Sequence, residues 1–216
     1  MDLIVAACRA LANRVRLHLL WALHAHPGTT VKELAKAAGL TPAFTSQQLK
    51  LLGNYHFVQA TPRGRRVYYH PAKPGHVSNQ FLRETVTLLH QTMAQLHPTP
   101  CKVWDADHQQ KADDAMFKVF TTYTHLRRLL MLRYLALNGA STPAAVMAHV
   151  GMSFAAVHRH LTKLQRRGVL QSDGPRPHLW SIATKLHAPM SRNMLAVVLR
   201  ALRNAKTAIP AKSHTL

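Results

Sequence analysis

"GMSFAAVHRHLTKLQRRGVL", residues 151–170, decides how this chain is read. Gly151 suits the left-handed turn that commonly ends a helix, and Ser153 suits the cap of the next one. Val157, Leu161 and Leu164 then recur at helical spacing and give that helix an inner face. The residues left outside are Phe154, Ala155, His158, Arg159 and Thr162, followed by Lys163, Arg166 and Arg167. A short helix that packs on one face and is basic on the other, entered through a glycine turn, is the helix-turn-helix pattern.

A paler version, "GLTPAFTSQQLKLLGNYHFV", stands at 39–58. Sliding the chain along itself by 112 positions brings the two together without a gap. Arg16 meets Arg128, Leu17 meets Leu129, Thr30 meets Thr142, Gly39 meets Gly151, Leu49 meets Leu161 and Leu52 meets Leu164. Thr41 falls on Ser153, Val58 on Leu170 and Tyr68 on Trp180. The shared positions are those that cap helices or face a core, so the chain reads as two copies of one unit. We place the first at 1–97, a linker and the start of a helix at 98–112, and the second at 113–216. In "HPTPCKVWDADHQQKADD", Asp113 and Asp114 are expected near a helix N-terminus, where negative charge is favoured.

Within the first copy, helices are expected over 2–11 and 14–24, ended by "HPG" at 26–28. Thr30 and Glu33 have capping-box spacing and open a short helix to Ala38. Thr41, with Pro42 behind it, opens the recognition helix to about Leu52, with Thr45, Leu49 and Leu52 inward and Pro42, Ala43, Ser46, Gln47 and Lys50 outward. "HFVQATP" and "RRVYYHP" form a hairpin with Arg63, Arg65 and Arg66 at its tip. A helix over Val77–Leu96 closes the copy, with Leu82, Val86, Leu89, Met93 and Leu96 as an apolar stripe. The second copy repeats the order, with helices near 111–121, 126–137, 143–150, 154–167 and 189–205. Its hairpin is "VLQSDGPRPHLWSIA", turning at Asp173-Gly174. The fold class is therefore mainly α with small β-hairpin wings, as tandem winged helix-turn-helix domains of α+β type.

The totals fit that reading. The 216 residues are 47% hydrophobic, enough for two small cores. Lys and Arg number 28 against 8 acids, a net charge of +20. Such a chain repels itself and calls for a polyanion, nucleic acid before an anionic membrane surface. "MDLIVAACRALANRVRLHLLWALHAH" is interrupted by Arg9, Arg14 and Arg16, so it reads as neither a leader nor a membrane span. We expect a cytoplasmic, nucleoid-associated protein without a membrane partner.

On "LANRVRLHLLWAL", "VKELAKAAGLTPAFTSQQLKLL", "RGRRVYYHP" and "GMSFAAVHRHLTKLQRRGVL", the chain resembles the ArsR-type winged helix family of bacterial transcriptional regulators, twice over. The resemblance implies binding of double-stranded operator DNA by a dimer, one recognition helix per subunit in successive major grooves. Side-chain chemistry points the same way. Arg159 suits guanine and Gln47 suits adenine. Lys50, Lys163, Arg166 and Arg167 suit phosphates, and the wing arginines suit the backbone or a minor groove. Arg166 and Arg167 also suit a solvated helix end, and Phe154 also suits a hydrophobic staple. His160 is expected to pack against the neighbouring helix, while Arg16 and Arg128 suit either the backbone or DNA.

Residues 31–52 hold no Cys, His or Asp and only Glu33 as an acid, so no metal site of the family's kind is read there. His90 and His97, His158 and His160, and His24 and His26 form pairs without an acid to join them. Cys8 and Cys101 make no CxxC pair. With no Gly-rich phosphate loop, GxSxG or HExxH, the chain is read as a non-enzyme needing no cofactor. The sequence leaves a homodimer open through the stripes on 77–96 and 189–205. It also leaves open a sequence-indifferent architectural nucleic-acid binder or a protein-interaction module.

Overall fold

The computed structural model describes residues 1–96, 106–174, 178–186 and 188–205. The first half runs α1 (Asp2–Leu11), α2 (Arg14–Ala25), β1 (Thr29–Thr30), α3 (Val31–Ala37) and α4 (Pro42–Asn54). It continues through β2 (Val58–Arg63), β3 (Arg66–Pro71), a 3-10 turn (Pro74–His76) and α5 (Gln80–Leu96). The second half runs α6 (Ala106–Thr122), α7 (Leu126–Asn138), α8 (Pro143–Val150), α9 (Phe154–Arg166), β4 (Leu170–Ser172), β5 (Trp180–Ile182) and α10 (Pro189–Asn204).

Local chemistry sets the helix starts. Asn13 caps α2 by accepting from the Arg16 amide, and His125 caps α7 by accepting from the Arg127 amide. Thr30 and Glu33 form the full capping box of α3, while Thr142 caps α8 through the Ala145 amide. Thr41 caps α4 and Ser153 caps α9 through the amides of Phe44 and Ala156. Gly39 and Gly151 sit before these caps at φ of 63° and 62°, a conformation that costs other residues a Cβ clash.

β1, β3 and β2 form an antiparallel sheet in that order, with Thr30 opposite Tyr68 and Arg63 opposite Arg66. Gly64, at φ 58°, turns the hairpin. The second sheet pairs β4 with β5, Ser172 opposite Trp180, and Ser141 bridges to Trp180. The return strand has slipped by one residue: Ala60, which shifts onto Ser172, faces Tyr69 rather than Tyr68.

One hydrophobic core runs through both halves. Leu17, Leu20, Leu49 and Leu52 fill it on one side, and Leu129, Leu132, Leu161 and Leu164 on the other, each almost fully buried. α5 packs against α10, and α6 packs against α1 and α2. Arg14 reaches Asp114 at 2.7 Å and Arg200 reaches Glu84 at 2.7 Å across this seam. Arg9 Nε donates to the Thr124 carbonyl.

Four expectations change here. The closing helix of the first half begins at Gln80 rather than Val77, because Pro74 opens a 3-10 turn and Asn79 Oδ1 accepts from the Leu82 amide. Val77 is still buried, while Leu96 is exposed and leaves the stripe. α6 begins at Ala106, so Asp113 and Asp114 lie in mid-helix and answer the bases of α2, Arg14 and His18, instead of a helix dipole. The stripes offered for a homodimer through 77–96 and 189–205 meet each other within one chain, α5 against α10. The linker residues at 98–105, with Cys101, lie outside the described residues, as does His97.

Candidate nucleic-acid interface

The outward faces expected of the two recognition helices are present. On α4, Pro42, Ala43, Ser46, Gln47 and Lys50 are all exposed, while Thr45, Gln48, Leu49 and Leu52 are buried beneath them. On α9, Phe154, Ala155, His158, Arg159, Lys163 and Arg166 are exposed over buried Val157, Leu161 and Leu164. Thr162 and Arg167 are half-buried, so their reach outward is smaller than the sequence pattern implied. Arg63, Arg65 and Arg66 are exposed at the tip of the β2–β3 hairpin, with the Arg63 guanidinium 5.9 Å from the Tyr68 ring centre.

Phe154 does not staple the helix to the core. Its ring is 56% exposed and stacks on His158 at 6.2 Å. Trp180, almost fully buried on β5, also meets His158, edge-on at 6.3 Å. His158 thus contacts two rings at the surface of α9, which lowers the entropy lost when it makes a contact. Gln165 donates to the Ser172 hydroxyl at 2.9 Å and ties the helix to the wing. The sequence pattern had marked His158 but not the rings that hold it; the pairing of Tyr68 with Trp180 was the available signal.

Two arginines turn inward. Arg16 donates to the backbone carbonyls of Arg9 and Ala10, and its Nη1 donates to Gln48 Oε1 at 2.9 Å. It pins α4 to α2 from behind. Arg128 is only 5% exposed and donates to the Thr124 hydroxyl through Nη2. His160 stands where the first half has Gln48 and packs on the cap residue His125 at 4.8 Å. Burial, then repulsion from Arg128 for His125 and from His125 for His160, keeps both below the ordinary histidine range. Neutral imidazoles beside Arg128 avoid adding charge to a buried arginine.

On these faces Glu33 feels the charge of Arg66. Ion pairs join Arg14 with Asp114, His18 with Asp113 and Arg200 with Glu84, all away from α4, α9 and the wing. Lys163 is held below the usual lysine range, first by Arg128, then by burial and Arg167. A surface arranged this way attracts a polyanion. Cys8 is buried, and burial pushes its thiol far up, out of reach of redox chemistry. Among the described residues, no group of three or more His, Cys, Asp or Glu side chains is placed to hold a metal, and no helix is long and apolar enough to cross a membrane.

Residues 125–171 match the family described as winged helix-turn-helix DNA-binding. The match begins at the cap of α7 and ends in β4, so it spans α8, the glycine turn and α9. That segment carries one winged helix-turn-helix domain of the DNA-binding kind, and the match supports DNA binding by this part of the chain. No curated protein matches the chain.

Proposed function

We propose that this protein is a sequence-specific transcriptional regulator, acting as a repressor, in which one chain does the work of an ArsR-like dimer. On this reading 1–97 and 113–216 are two copies of one winged-helix domain. The observation that carries it is the pairing at the seam. α5 lies on α10 and α1 on α6, so each helix meets the one that a shift of 112 residues places on it. Self-complementary contact of that kind is what a two-fold dimer makes, here with a covalent link.

Arg159 and His158 read one half-site; Ser46, Gln47 and Lys50 read the other. Lys163, Arg166, Arg167 and the three wing arginines fix register on the phosphates, and Pro42, Ala43, Phe154, Ala155 and Thr162 complete the contact faces. If both helices follow one face of the duplex, the half-sites lie about 10–11 base pairs apart. The protein needs no cofactor for this and performs no catalysis; it works where the chromosome lies.

The test is fluorescence anisotropy of labelled duplexes against the whole chain at several salt concentrations. One chain per site is expected, with log affinity falling against log salt by about 0.9 per phosphate engaged. Two chains per symmetric site would overturn the single-chain arrangement. Equal affinity for every duplex would leave an architectural binder instead of a regulator.

A further inference from the structure

A cleft of about 410 Å³ opens between α6, the turn that ends α9 and the segment leading into α10. Its floor is apolar, made by Val119, Tyr123, Val169, Leu186 and Met190. Its other wall is cationic, with Lys118, Arg166, Arg167 and Lys185. Among the described residues that line it, none is acidic. The volume falls within the few hundred Å³ typical of small-molecule sites. Four cations around an apolar floor describe a ligand with an apolar body and an anionic head.

The charge is not balanced from behind. Arg128 lies close enough to Arg167 to be depressed by it, after burial, and its Nε and Nη1 meet no partner among the described residues. An anion at Arg167 would lower the repulsion at both. Nor is the cleft a necessary product of the fold. A shift of 112 residues places Tyr55, His56 and Phe57 on Arg167, Gly168 and Val169, and Ala6 on Lys118. In the first half these positions carry the Tyr55 and Phe57 rings, 6.4 Å apart, in place of Arg167 and Val169.

We infer that this cleft binds a small amphiphilic carboxylate, its chain or ring on the apolar floor and its head among Lys118, Lys185, Arg166 and Arg167. The site itself is independent of the DNA reading. One consequence rests on that reading: Arg166 and Arg167 serve both ligands, so the bound carboxylate withdraws them from phosphates and weakens DNA binding.

The experiment is calorimetric titration of the full chain, without DNA, with decanoate below its micelle concentration. Decanol and inorganic phosphate serve as separate probes. Saturable binding of one decanoate per chain is expected, at least about tenfold tighter than decanol, with no binding heat from phosphate. Met190→Trp fills the floor and should abolish binding; Lys118→Glu with Lys185→Glu should weaken it at least about tenfold. The two lysines are exposed, so their variant tests the site even where Met190→Trp fails to fold. No saturable heat, equal affinity for decanol, phosphate binding at the same strength, or indifference to the lysine substitutions would each overturn the proposal. A second titration adds decanoate to the protein–DNA complex. Unchanged DNA affinity at saturating decanoate would overturn the coupling, and a chain that never bound DNA would fail in this arm alone.

Discussion

The recognition helix of the second half is charged along its length, whereas that of the first is nearly neutral. α9 presents Arg159, Lys163 and Arg166 around His158; α4 presents Lys50 alone among cations, with Phe44 and Leu51 about two-fifths exposed. The wings differ the other way. β2 and β3 pair over six residues and carry three arginines to an exposed tip, while β4 and β5 pair over three. One half puts its charge on the helix, the other on the hairpin. The scaffold beneath is nearly the same, down to caps and glycine turns, so the difference lies in the faces a partner meets. The family match at 125–171 falls on the half with the charged helix.

The largest effects should show where the halves are alike. Leu49→Ala and Leu161→Ala each remove a fully buried side chain and should cost roughly 2–5 kcal/mol. Because both leucines belong to one core, each variant should unfold in a single transition, followed by calorimetry. Two separated transitions, with only one moved by each variant, would show that the halves are independent.

Next come the readers. Arg159→Ala should weaken binding by about 1–3 kcal/mol and relax sequence preference at one half-site only. Gln47→Ala should relax the other. Anisotropy with duplexes altered in one half-site at a time separates them. Loss of preference at both half-sites from either substitution would erase the proposed division of labour.

A smaller effect comes from one backbone position. His56 holds φ 55°, in the left-handed region, and the residue a shift of 112 places on it is Gly168, at φ 73°. A non-glycine residue pays for that conformation, so His56→Gly should stabilise by about 1 kcal/mol. Thr45 makes the same kind of contrast. Its hydroxyl is buried and has no partner among the described residues, and Val157 takes its place in the second half. Thr45→Val should stabilise the fold by on the order of 1 kcal/mol, read as a higher melting temperature. Lower stability in either variant would contradict the account.

The smallest expected effect is an acid response centred on the first half. Burial, then repulsion from His90, drives His24 down to about 4 from an ordinary 6.5. Its ring meets His90 edge-on at 4.6 Å, and His90 bonds the Ala72 carbonyl. The unfolded chain binds this proton more readily, so the contribution is present in full above about pH 6.5 and is lost as pH falls toward 4. After screening it should amount to a change on the order of 1 kcal/mol. His24→Ala, which copies Ala136, should flatten melting temperature against pH in that window. His125 and His160 will keep part of the slope.

Much of this was legible in the chain because it depends on neighbours in sequence. Thr30, Thr41 and Ser153 cap the helices they precede, and the spacing of Val157, Leu161 and Leu164 set which side of α9 faces out. What the pattern missed depends on which side chains packing brings together, in some cases about a hundred positions apart. Asp113 and Asp114 looked like helix-start acids, and only packing of α6 on α2 reveals Arg14 and His18 as their partners. Arg16 and Arg128 recur as surface-prone arginines, yet each is held by groups brought in from behind. Asp173 closes the second wing by accepting from the His178 and Leu179 amides, so the turn is wider than Asp173-Gly174 alone implies. The cleft beside α6 is lined from three separate stretches, α6, the end of α9 and the entry to α10, so no single motif announces it.

The central claim is that two unlike recognition helices in one chain read one asymmetric site. Selection from random double-stranded DNA at about 50 and 200 mM salt tests it most directly. An enriched motif with two different half-sites about 10–11 base pairs apart, still recovered at the higher salt, is expected. A palindromic motif, a single half-site, or binding at low salt with no motif would contradict it.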